Sequence, residues 1–96
     1  QIDPHNLQLT TRVNDEIRQN SRTDDLIFDC FDIVEDLSTA FTLEAGTVIA
    51  TGTPAGVGLY WDPPKMLKVG DEVSITIEGI GTLTNPVIAE PETRLI

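Results

Sequence analysis

The sequence predicts an α+β fold: a mixed, mostly antiparallel β-sheet or β-roll with one packed helix. Three observations carry this. Residues 7–13 and 72–78 alternate apolar and polar side chains with period two, as half-buried strands do. Leu26, Ile27, Phe31, Val34 and Leu37 recur at helical spacing and make one apolar face. The run Thr47-Val48-Ile49-Ala50-Thr51 is apolar and β-branched, then stops at a loop with glycines at 52, 56 and 58 and Pro54.

In chain order, Asp3-Pro4-His5-Asn6 reads as a turn leading into the strand Leu7-Gln8-Leu9-Thr10-Thr11-Arg12-Val13. Asn14-Asp15 is a two-residue turn, since both residues tolerate positive φ better than most. Residues 16–20 return as the second strand of a hairpin. Thr23 is expected to cap the helix, with Asp24 and Asp25 favourably placed against its dipole. Asp25, Asp29, Asp32 and Asp36 fall on the opposite side from the apolar face. A row of carboxylates invites a metal-site reading, but a solvated acidic face explains it better. Residues 38–40 end the helix. Residues 44–46 turn the chain into a central strand at 47–51, and the prolines of Tyr60-Trp61-Asp62-Pro63-Pro64 make an irregular connection. Lys68-Val69-Gly70-Asp71 then feeds the strand 72–78, which points Val73, Ile75 and Ile77 inward. Gly79-Ile80-Gly81 reverses the chain into residues 82–84, Asn85-Pro86-Val87-Ile88 closes the domain, and a charged, frayed tail is expected from Glu90.

Ninety-six residues allow one domain, which would bury roughly two-thirds of its unfolded surface. Hydrophobic residues make up 40% of the chain, enough for a packed core. Sixteen acids against six bases give a net charge of -10. No nucleic-acid or membrane partner is therefore expected, because anionic partners need a basic face. No apolar run reaches the ~18 residues of a membrane span, and none reads as a secretory signal. Cys30 is the single cysteine, so no internal disulfide is expected. These features suit a soluble intracellular domain, cytoplasmic or mitochondrial. The sequence opens on Gln1-Ile2-Asp3-Pro4 and its one methionine is Met66, which reads as a piece of a longer protein.

The chemistry-bearing candidates are few. His5 lies in a turn with no nucleophile beside it, and reads as solvated rather than catalytic. Cys30 reads as a small core residue. Glu90-Pro91-Glu92 has a two-carboxylate spacing, but in a proline-stiffened tail it is not expected to hold metal. The loop Ala50-Thr51-Gly52-Thr53-Pro54-Ala55-Gly56-Val57-Gly58 is more telling. Threonine hydroxyls and free N–H groups at a strand end can cradle a small anion. On composition alone a tight structural corner is the plainer reading.

The surroundings of that loop shift the balance. Leu43-Glu44-Ala45-Gly46-Thr47-Val48-Ile49 followed by Ala50 to Gly58 resembles the signature segment of the fumarylacetoacetate hydrolase family. A second block, Leu67-Lys68-Val69-Gly70-Asp71-Glu72-Val73 with Ile77-Glu78-Gly79-Ile80-Gly81-Thr82-Leu83-Thr84-Asn85, follows in the right order. The resemblance covers residues 3 to 88 and makes residues 1–96 a C-terminal fragment of the family's catalytic domain. The sequence departs from the family at Asp15, where asparagine-glycine is usual, and at Thr47, where aspartate is common.

The resemblance implies a metal-dependent hydrolase or lyase acting on 1,3-diketo or 2-oxo acids, such as fumarylacetoacetate or acylpyruvates, by carbon–carbon cleavage. Relatives decarboxylate oxaloacetate or isomerise related diacids. It also implies a Mg2+ or Mn2+ ion, a homodimer, and a small oxo-acid substrate. The metal ligands and catalytic histidine, glutamate and lysine would lie upstream, in a missing N-terminal part of the same domain. No catalytic or metal-binding residue is therefore placed on this chain. What transfers is a substrate-binding set, Gly52, Thr53 and Pro54, with Thr53 matching the threonine that contacts the substrate carboxylate. Such a fragment is expected to be inactive alone. The competing reading is a non-catalytic binding or assembly module that keeps the fold without the metal ligands.

Overall fold

A computed structural model describes residues 1–92. Its backbone is a four-stranded sheet, β1 (Gln8–Val13), β2 (Glu16–Arg22), β3 (Glu72–Ile77) and β4 (Gly81–Pro86), in the order β2-β1-β3-β4. All three pairings are antiparallel. A helix, α1 (Cys30–Ala40), follows β2, and single 3-10 turns lie at Thr23–Asp25 and Gly58–Tyr60.

The sheet follows the alternation of the sequence. Leu9, Thr11 and Val13 of β1 stand opposite Ile77, Ile75 and Val73 of β3, so these side chains share one face. The other face is polar: Ser74 pairs with Thr84 and Thr76 with Thr82, each through a 2.9 Å hydroxyl contact. The β1–β2 turn forms with Asn14 at φ 51° and Asp15 at φ 75°, so Asp15 does not break it. Asn14 is also tied to β3: its amide nitrogen donates to Asp71 Oδ1 (2.8 Å) and its Oδ1 accepts from Glu72 N (2.9 Å). Asp71, also accepting from Lys68 N, has its carboxyl held below the usual range, first by that backbone donor and then by Asn14.

Within β1–β2 the register slips between Thr11 and Arg12: Thr11 pairs with Gln19 and Arg12 with Ile17. Arg18 is the extra residue of a β-bulge. Such a bulge re-aims side chains at a sheet edge, and here it is where β2 meets the glycine loop.

Two local expectations are corrected. The helix does not begin at Thr23, whose Oγ1 is occupied by the Leu7 N–H (2.9 Å) while its own N–H donates to the Leu7 carbonyl (2.9 Å). That exchange continues the hairpin instead of capping a helix. Asp29 caps α1, accepting from Asp32 N (2.8 Å) while Asp32 Oδ2 accepts from Asp29 N (3.3 Å). Leu26 and Ile27 thus precede the helix, and α1 ends at Ala40 as expected.

The second correction concerns residues 47–51, which form no strand, with Val48 92% exposed. β-Propensity needs a ladder partner to act on, and no described strand pairs with this stretch. Leu7 and Val13 are the buried apolar residues among those described, whereas Phe31 of α1 remains 72% exposed. His5 accepts the Cys30 N–H at Nε2 (2.9 Å) and packs edge-on against Phe31, so it anchors the start of α1. Cys30 is half-buried beside it. The expected tail falls on residues 90–96, of which 93–96 lie outside those described.

Candidate functional site

The glycine-rich loop crosses the sheet at the bulge. Gly52, at φ 96°, and Thr53 are exposed, and Pro54 is half-buried. Gln19 projects from β2 to meet them: its Nε2 lies 2.7 Å from Thr53 Oγ1 and 3.0 Å from the Pro54 carbonyl. Beyond this point the loop packs without room for side chains. A Cβ on Gly56 would stand 2.0 Å from the Arg18 carbonyl oxygen, and one on Gly58 2.1 Å from that of Lys65. The Gly56 carbonyl accepts from Trp61 Nε1 (2.9 Å) and the Gly58 carbonyl from Lys65 N (2.8 Å), which ties the loop to the segment after it.

Between loop and sheet lies an open cleft of about 440 Å³. Thr11, Val13 and Val73 line it from the sheet, Gln19 from β2, and Thr53 and Val57 from the loop. Arg18 and Lys65 also line it. Arg18 donates from Nη1 to the Lys65 carbonyl (3.2 Å), both cations lie over the Trp61 ring, and both bond Glu16. Lys65 Nζ is 3.0 Å from Glu16 Oε1. These partners hold the Glu16 carboxyl below its ordinary range, the Lys65 bond first and the Arg18 bond second. Two cations of the cleft wall, Arg18 and Lys65, therefore share a single carboxylate, Glu16, in a chain whose net charge is -10. That local balance favours a small anion.

Of the three residues singled out from the sequence, Thr53 lines the cleft, and Gly52 and Pro54 flank it. Gln19, Arg18, Lys65 and Trp61 were not singled out. No local spacing links β2 to a loop more than thirty residues later. Among the described residues no three His, Cys, Asp or Glu side chains come together to hold a metal ion. No described helix is long and apolar enough to cross a membrane.

The model of the C-terminal domain of fumarylacetoacetate (FAA) hydrolase matches residues 1–88. The chain belongs to the fumarylacetoacetate hydrolase family. It is 51% identical over 85 residues to an oxaloacetate tautomerase of Bacillus subtilis, covering 88% of this chain and 28% of that protein. Among solved structures it resembles a fumarylacetoacetate hydrolase from Exiguobacterium antarcticum, with TM-score 0.89 and 48% identity over 93% of this chain and 32% of that one. It also resembles a maleylpyruvate hydrolase from Sphingobium sp. SYK-6 in complex with manganese (II) ion and pyruvate. There the TM-score is 0.79 and the identity 37%, over 90% of this chain and 30% of that one. The chain thus spans about a third or less of the length of these relatives. The family resemblance and the antiparallel sheet with one helix both stand.

Proposed function

We propose that this chain supplies the carboxylate-binding loop of a metal-dependent enzyme acting on 2-oxo or 1,3-diketo acids by carbon–carbon cleavage. The relatives' names span hydrolase, isomerase and tautomerase. The carrying observation is Thr53: its hydroxyl is held at the rim of a cleft whose wall is locally cationic. A hydroxyl and nearby backbone N–H groups bind a carboxylate without adding charge, and a braced loop keeps them in place.

The described residues do not fit a metal site, so the Mg2+ or Mn2+ of this reading would be bound by residues outside this chain. The manganese in the Sphingobium enzyme supports a divalent ion in the family. When bound, such an ion would supply Lewis-acid chemistry at the substrate carbonyl. The surface also supports further chain: 7855 Å² is accessible, against about 5,400 Å² for a compact chain of this mass. A homodimer, and a cytoplasmic or mitochondrial setting, belong to the same reading.

The test is Thr53→Val in the full-length protein. A hydrogen bond to a charged group is worth roughly 1.5–3 kcal/mol, so kcat/KM for oxo acids should fall about 10- to 150-fold. Thr51→Val, two residues away on exposed backbone, should leave it nearly unchanged. An undiminished kcat/KM in Thr53→Val across oxaloacetate and several acylpyruvates would show the loop to be a structural corner.

A further inference from the structure

We propose that Gln19 is a positioning residue that fixes the direction in which the Thr53 hydroxyl donates its proton. The inference rests on the reading of Thr53 as the carboxylate donor. The Pro54 carbonyl can only accept a hydrogen bond, so the Gln19 atom 3.0 Å from it must be the amide nitrogen. That same nitrogen lies 2.7 Å from Thr53 Oγ1. An amide NH2 carries two hydrogens, one for each oxygen. Thr53 Oγ1 therefore accepts from Gln19, and its own proton cannot point back along that line. The proton is left to the remaining directions, in which a group bound in the cleft can meet it.

The brace is itself held. Gln19 is paired with Thr11 inside the sheet, immediately after the bulge at Arg18. Its Cγ lies where a Cβ on Gly56 would come within 2.8 Å, so the loop glycine makes room for the glutamine stem. Strand and loop thus set the side chain, and the side chain sets the hydroxyl. A free hydroxyl samples three staggered positions, so barring one of them alone gains about 1.5-fold. Holding Pro54 with the second hydrogen steadies the loop as well, and losing two such neutral hydrogen bonds brings the expected loss to about 5- to 20-fold.

The experiment measures the Kd of pyruvate, with Mg2+ present, in the full-length protein and in Gln19→Met, Thr53→Val and the double variant. Gln19→Met should weaken binding about 5- to 20-fold, less than Thr53→Val, and the double variant should match Thr53→Val alone. Gln19→Glu is the second variant and gives a pH readout. Its carboxylate would accept the Thr53 proton, so its deficit against the parent protein should be large at pH 8 and shrink towards pH 5. The deficit of Gln19→Met should not vary with pH. If Thr53→Val binds pyruvate normally, the carboxylate reading fails and this inference falls with it. If Thr53→Val weakens binding but Gln19→Met stays within about twofold, or the two losses multiply, only the positioning role is overturned.

Discussion

Gly56 permits the sharpest test of how the loop is seated, because two physical costs meet there and can be separated. Its φ of +114° is a conformation that costs an L-residue about 1–2 kcal/mol. Its missing Cβ is also replaced by packed backbone, with Arg18 O at 2.0 Å and Arg18 C at 2.9 Å. Backbone of a paired strand yields poorly, and overpacking of this kind costs about 1–3 kcal/mol. Alanine recovers about 0.4–1 kcal/mol by restricting the unfolded chain. Gly56→Ala should then destabilise by about 2–4 kcal/mol. Gly46→Ala isolates the first cost, since Gly46 has φ +87° and nothing within 4 Å; about 1 kcal/mol or less is expected. Gly58→Ala isolates the second, because Gly58 lacks a positive φ but faces Lys65 O at 2.1 Å; about 1–2 kcal/mol is expected. Urea unfolding of the three full-length variants measures the series. A Gly56→Ala loss no greater than that of Gly46→Ala would refute the close seating of loop on bulge.

Two further outcomes follow from charge and surface. The folded pKa of Glu16 is lowered, so its contribution is present above its ordinary 4.5 and is lost as pH falls through the lowered value. Urea midpoints of the parent protein and Glu16→Gln should therefore converge as the pH drops from 6 to 3, and a constant gap would reject the Lys65–Glu16–Arg18 linkage. Residues 1–96 expressed alone should bind a hydrophobic dye and unfold without cooperativity, because the radius of gyration is 16.3 Å against about 12.5 Å for a compact chain of this length. A soluble monomer with a sharp unfolding transition would contradict that.

What was legible in the sequence was whatever is decided within a few residues. Alternation located β1 and β3, and Asn14-Asp15 placed the hairpin turn, and with it β2, even without the usual glycine. The helix start was misplaced although its signal was present: Asp29 and Asp32 have capping-box spacing, but Thr23 followed by Asp24 and Asp25 also has the residue types of a helix start. Its hydroxyl was already committed to Leu7, a partner sixteen residues away. The bulge at Arg18 was equally hidden, because residues 16–20 read as an unbroken strand.

The loop shows why a recognisable motif and a working site are different things. Its glycines were visible in the sequence as freedom of conformation, but at Gly58 the structure uses glycine for a different reason, as the absence of a side chain against Lys65. Its threonine was visible as a hydroxyl, but a hydroxyl becomes a directed donor only when something else occupies its lone pairs. That something is a glutamine on a strand thirty-four residues earlier, delivered there by a one-residue bulge. The segment 47–51 sits on the other side of the same logic. It has the composition of a buried strand and is exposed here, because composition sets what a segment can pair with and a neighbouring strand decides whether it does. The glycine loop is thus positioned from one side by this chain's own sheet, through Gln19 and the Arg18 bulge. Residues 47–51, which lead into it, pair with no described strand.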